Sequence, residues 1–222
     1  MPHAAPSTFT GAVDVIAVLV LLTEFAMLRA PMLRSQVRLY AFQSLVVTAL
    51  AIVVAATRHI DEIYVLAALS FILKVIIVPR IVLRLLSRAE VSLAGSSAFS
   101  VATMTLIAIV MSVFAFFSVG ALHLQSTALP SAALAISVAV VLVAFVLIIL
   151  RSDVVSQAIG FFSLENGVSV ASLVVASGLP LIVDVAFLFD LLVAVVVFGV
   201  LMRIHHGRTK TLSTDSLDRL KG

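Results

Sequence analysis

The sequence predicts an all-α fold, a polytopic transmembrane bundle of about seven helices with the N-terminus outside and the C-terminus in the cytoplasm. Three observations carry that expectation. The 222 residues are 63% hydrophobic and only 11% charged, with a mean hydropathy of +1.28, against roughly 45–50% apolar and about 25% charged in a soluble domain. Apolar stretches long enough to cross a bilayer recur along the chain. The basic residues gather in alternate connections, which is how orientation in a bilayer is recorded.

Seven spans are expected, at 11–28, 39–57, 63–86, 100–122, 128–150, 154–176 and 181–202. No Lys or Arg precedes the first, and Asp14 and Glu24 interrupt its apolar run, so it matches a cleaved signal peptide poorly and should stay as a helix. The second opens on Tyr40-Ala-Phe-Gln43-Ser. The third carries Lys74 and, five residues on, Pro79. A proline in mid-helix leaves the carbonyl four residues earlier, that of Val75, without its amide partner and bends the helix. The fourth and fifth are nearly unbroken apolar runs. In the sixth, Gly160 and Gly167 share a face, which lets a neighbour approach while Glu165 and Asn166 point into the bundle. The seventh holds Asp184 and Asp190.

Arg29, Arg34 and Arg38 follow the first span, Arg80, Arg84 and Arg88 close the third, and Arg151 follows the fifth. Arg203, Arg208, Lys210, Arg219 and Lys221 follow the seventh, so these twelve fall on one side, whereas the other side has only Arg58. The split favours an odd number of spans and a cytoplasmic C-terminus. The Arg80, Arg84, Arg88 stripe reads as snorkelling at the membrane interface, so the net charge of +3 calls for no nucleic-acid partner. Between spans, Glu90–Ser97 with its Gly-Ser-Ser ending is the most loop-like stretch. The domain expectation is therefore a three-helix module at 1–90, a linker at 91–99, a four-helix module at 100–202 and a cytoplasmic tail at 203–222. A faint likeness between Tyr40-Ala-Phe-Gln43-Ser-Leu and Phe161-Phe-Ser-Leu-Glu165-Asn is compatible with an internal duplication.

Lys74, Glu165 and Asp190 lie near the centres of their spans. Each opposes insertion by roughly 2.5–3.5 kcal/mol unless paired or hydrated. Desolvation favours the neutral form of an ionisable group and brings its titration towards neutral pH, which suits a proton path. A static ion pair fixing helix register is the structural alternative. Gln43, Asn166, Asp184, Glu24 and Asp14 are secondary candidates, the last three because they lie nearer span ends, where water reaches them at lower cost. With no cysteine, the chain supplies no thiolate for zinc or an iron–sulfur cluster. His3, His59, His123, His205 and His206 fall in loops or tails, so no embedded imidazole pair suits a b-type haem. No nucleotide-binding glycine loop or Ser-His-Asp set is present.

The stretch from Gln157-Ala-Ile-Gly160-Phe-Phe-Ser-Leu-Glu165-Asn through Asp190 to Thr214-Asp-Ser-Leu-Asp-Arg-Leu-Lys-Gly222 resembles the small three-helix K-type subunit of respiratory complex I, the NADH-quinone oxidoreductase. Over its whole length, with Phe71-Ile-Leu-Lys74-Val-Ile-Ile-Val-Pro79 and the Tyr40 to Ser44 motif, the chain resembles hydrogenase-4 component E. The resemblance implies a non-catalytic membrane subunit of a group 4 [NiFe]-hydrogenase, formate hydrogenlyase or related complex I-like oxidoreductase in a bacterial cytoplasmic (inner) membrane. The [NiFe] and iron–sulfur clusters would reside in partner subunits, with no cofactor in this chain. Its neighbours would be the lipid bilayer, antiporter-like chains and a peripheral redox module. It further implies that Glu165, matched by motif, and Asp190, matched by helix and depth, belong to a proton translocation path, and that Lys74 faces a neighbouring chain or a hydrated file. A stand-alone secondary transporter or ion channel, and a passive anchor or assembly scaffold, are the competing classes.

Overall fold

A computed structural model of the chain describes residues 8–88, 97, 99–121 and 131–175. The described elements are helices: α1 (Thr8–Arg29), α2 (Leu33–Arg58), α3 (Asp61–Ser70), a π-helical segment (Phe71–Ile77), α4 (Val78–Arg88), α5 (Val101–Ala121), α6 (Ser131–Leu150) and α7 (Val154–Val175). α3, the π segment and α4 run on as one span. Five stretches are long and apolar enough to cross a membrane: Gly11–Arg29, Leu33–Thr57, Asp61–Ser87, Val101–Ala121 and Ala132–Leu150. They correspond to the first five expected spans. The sixth exists as α7, whose 22 residues would reach roughly 33 Å, with Gln157, Ser163, Glu165 and Asn166 as its main polar interruptions. The seventh span and the tail lie outside the described residues.

Local chemistry sets the reversals. α1 stops ahead of Pro31, because the residue before a proline is pushed out of the helical region. α2 ends where His59 takes a left-handed conformation (φ 55°), and the N–H groups of His59 and Ile60 both reach the Ala55 carbonyl, a glycine-like stop made by a residue type that tolerates it. Asp61 and Glu62 then supply negative charge to the first turn of α3. Between α6 and α7, the Asp153 carboxylate accepts the Ser156 backbone N–H at 2.7 Å and caps the new helix, a contribution of about 1 kcal/mol. Arg151 folds inward, only 4% exposed, and donates to the Leu28 and Ala30 carbonyls at 2.8 and 3.0 Å. It therefore closes the α1 end against the α6–α7 turn as well as marking the basic side.

The glycines of α7 act as expected. A Cβ on Gly160 would stand 2.8 Å from Ile148 Cγ1 and 3.2 Å from the Ala144 carbonyl, and one on Gly167 would stand 2.9 Å from Val141 Cγ2. Only glycine admits α6 this closely. Many large apolar side chains point outward, Phe117 being 76% exposed. Water would penalise such a surface, whereas lipid tails suit it.

Buried apolar residues form two clusters. One, with Met27, Leu28, Tyr40, Val82, Leu147 and Phe162, occupies the end with the arginines; the other, with Val13, Val20, Val47, Ala67, Val140 and Val170, occupies the end where α2 turns into α3. Both draw on residues from either side of the 91–99 stretch, so the two sequence modules share one interior.

Candidate functional site

Between the two clusters each contributing helix carries polar residues: Glu24 on α1, Gln43 and Ser44 on α2, Lys74 on the π segment, and Ser163, Glu165, Asn166 and Ser169 on α7. All but Ser169 are buried. Lys74 is 1% exposed, and its Nζ stands 2.6 Å from Glu165 Oε1. The same ammonium donates to Asn166 Oδ1 at 3.3 Å and to Ser169 Oγ at 3.4 Å. Ser169 in turn donates to the Glu165 backbone carbonyl at 2.9 Å.

The backbone around Lys74 follows from Pro79. Proline cannot donate an N–H to the Val75 carbonyl, and the turn before it widens into the π segment, with the Val78 N–H reaching five residues back to Leu73. The bend expected from the sequence is thus a π segment that holds Lys74 against α7.

From Asn166 the network runs on to a second carboxylate. Asn166 Nδ2 donates to Gln43 Oε1 at 3.0 Å and Ser44 Oγ at 2.9 Å, and Gln43 Nε2 donates to Glu24 Oε2 at 2.8 Å. Ser163 donates to the Glu24 carboxylate and also lies 2.9 Å from Gln43 Oε1. An ammonium can only donate and a carboxylate, when ionised, can only accept. Both amides must therefore turn their oxygens towards Lys74 and their NH2 groups towards Glu24, so the two dipoles align along a line from cation to anion. Ser163 and Ser169 bracket this line on α7, about 9 Å apart along the axis at 1.5 Å per residue.

Lys74 and Glu165, singled out as charges at mid-span, are thus brought together. The Lys74 ammonium, expected to face a neighbouring chain or a hydrated file, has an ion-pair partner within this same chain, Glu165. The two motifs compared for a duplication face each other, Gln43 bonding Ser163 and Asn166, with the Tyr40 and Phe162 rings 5.7 Å apart. Glu24 corrects an expectation. It is 0% exposed although little more than a turn from the end of α1, because that end is itself covered by Arg151 and by Gln36, whose Nε2 donates to the Met27 and Ala30 carbonyls. Asp14, half-buried in the second turn of α1, takes no part in these bonds. Asp184 and Asp190 lie outside the described residues.

Sequence reasoning misses Ser44, Ser163 and Ser169. The signal available is the Ser163, Asn166, Ser169 spacing of three, which puts small hydrogen-bonding groups on one face of a helix. No cluster of metal-ligating side chains occurs among the described residues, and the sequence has no cysteine.

Comparison with known proteins adds a full-length likeness. The chain is 25% identical over 210 residues to hydrogenase-4 component E of Escherichia coli strain K12, a match covering 95% of this chain and 97% of that protein, and equally to the protein of the same name from Shigella flexneri. An uncharacterised protein, Rv0085, of Mycobacterium tuberculosis is 40% identical over 84 residues, 37% of this chain and 36% of that one, so the match spans about a third of that relative. No family model and no solved structure matches. The likeness to component E is distant but runs end to end and supports that family, and the apolar helices make the chain a multi-pass membrane protein.

Proposed function

Given this full-length relationship to hydrogenase-4 component E, we propose that the chain is a membrane subunit of a complex I-like hydrogenase or respiratory assembly, and that its buried polar line is part of an ion-translocating, most simply proton-translocating, path. The carrying observation is that the Lys74–Glu165 pair continues through two aligned amides to Glu24. Among the described residues this line holds one cation and two carboxylates, so one added proton neutralises it. A proton taken up at either carboxylate alters the attraction holding Lys74, and the Lys74 ammonium, poised between Glu165, Asn166 and Ser169, is the group able to respond. Glu24 joins Glu165 and Lys74 as a bearer of charge; Gln43, Asn166 and Ser163 position it. Asp190 is proposed to extend the path on the seventh span.

Electron transfer and hydrogen chemistry belong, on this proposal, to [NiFe] and iron–sulfur centres in partner subunits, and antiporter-like chains flank this one in a bacterial inner membrane. The stretch at 91–99 is proposed as the linker between the three-helix N-terminal module and a four-helix module whose last three helices are K-type-like. The basic side, with Arg29, Arg34, Arg38 and Arg151, is proposed to face the cytoplasm. Purification in mild detergent tests the assignment. A tagged chain should co-migrate with larger membrane chains and a redox module, while migration as an isolated homo-oligomer would favour the transporter class.

A further inference from the structure

A cavity of about 40 Å³ adjoins the ion pair, lined by Lys74 and Glu165 and by the hydroxyl-bearing Thr48, Ser70, Ser169 and Ser172. One water needs roughly 10–15 Å³ measured this way and two to four polar partners, so the space suits about three water molecules. Its position is one-sided. The apolar residues around it include Val47, Ala51, Ala67 and Leu173, all members of the cluster at the α2–α3 end, and none belongs to the cluster at the arginine end. On the other side of the pair, Tyr40, Val78, Val82 and Phe162 belong to the cluster at the arginine end and are at most 6% exposed. Ser70, Ser169 and Ser172 are only half-buried, so the hydroxyl lining leads outward.

We infer that this cavity is a water-filled access route joining the Lys74–Glu165 pair to the end of the bundle that carries Arg58 and His59, and that the pair is sealed from the arginine-rich end. The inference rests on the proposed ion path only for what the water carries; the one-sided access stands on the geometry. Hydroxyls suit such a route, because each donates and accepts and can rotate.

Because this chain has no native cysteine, reaction at a single introduced cysteine can be read on this chain alone, by its remaining thiol after the complex is treated and the chain separated from its partners. Single cysteines replace Ser172, Ser70 or Ser163, with Glu62→Cys and Ser35→Cys marking the two ends, and silver ion is applied to right-side-out and inverted vesicles. Silver is a thiol-reactive cation small enough for the space. Ser172→Cys and Ser70→Cys should react at least tenfold faster from the side that labels Glu62→Cys, while Ser163→Cys stays unreactive from both. Reaction from the Ser35→Cys side, or none at either cavity position, would overturn the inference. Labelling as expected with proton transfer indifferent to Glu165 substitution would instead retain the route and remove the proposed path.

Discussion

Lys74 on the π segment and Glu165 on α7 form a buried ion pair, Nζ to Oε1 2.6 Å, between two apolar layers. Removing one partner of such a pair leaves a charge with no compensation in a medium that cannot solvate it, a loss of about 3–5 kcal/mol, whereas replacing both by apolar groups is often neutral. Lys74→Met should therefore lower the amount of assembled complex several-fold. Lys74→Met combined with Glu165→Leu should restore assembly without restoring proton translocation. Quantitative immunoblotting of purified membranes reads the first, and a pH-sensitive dye in vesicles reads the second. A double variant that assembles no better than the single one would place the partner of Lys74 elsewhere.

The α6–α7 contact depends on two absent side chains. Gly160→Ala would bring a methyl to 2.8 Å from Ile148 Cγ1, beside the Ala144 carbonyl, and overpacking of this kind destabilises by about 1–3 kcal/mol. Gly120, where an added Cβ would meet nothing within 4 Å, is the control. Thermal aggregation of the detergent-solubilised protein should begin several degrees lower for Gly160→Ala and be unchanged for Gly120→Ala.

Arg151 closes the arginine-rich end by bonding the Leu28 and Ala30 carbonyls. Burial disfavours its charged form and the neighbouring Asp153 carboxylate favours it; an arginine in this setting stays charged. Arg151→Ala removes two charge-assisted bonds, each worth about 1.5–3 kcal/mol, and should destabilise the protein strongly. Arg151→Lys, with a point charge in place of a planar fork, should recover only part. Chemical denaturation in detergent measures both.

Much of this organisation is legible in the sequence, and the reason differs from residue to residue. Lys74 and Glu165 stand out because an ionisable group inside an apolar run is costly and so needs a partner. Gly160 and Gly167 stand out by spacing. Glu24 ranks low in the sequence because its place near the end of α1 suggests nearness to water. What buries it comes from afar in the chain, namely Arg151 from the α6–α7 turn and Gln36 from α2. The identity of Lys74's partner is equally non-local, since spacing along a span says which depth a side chain occupies but not which helix stands opposite. Ser44 and Ser163 escape notice because serine is inexpensive in a membrane helix, where it can bond its own backbone.

Topology admits an independent check. Seven spans put the connection at 122–130 and the tail after 202 on opposite sides, so Ser126→Cys and Ser213→Cys should react with an impermeant thiol reagent from opposite faces of the membrane. Labelling from the same face would remove the seven-helix arrangement.

The central claim is that the buried line from Lys74 and Glu165 to Glu24 takes part in moving ions, and Glu165→Gln addresses it most directly. Glutamine keeps the shape and much of the hydrogen bonding of glutamate but neither titrates nor carries charge. Proton uptake per electron transferred is measured in vesicles containing the purified, assembled complex. Glu165→Gln should lower the amount of assembled complex, as Lys74→Met does, because it leaves the Lys74 ammonium unpaired, and the complex that does assemble should translocate protons at least tenfold less per electron; assembled complex with an undiminished proton-to-electron ratio would contradict the ion path and assign the pair to structure.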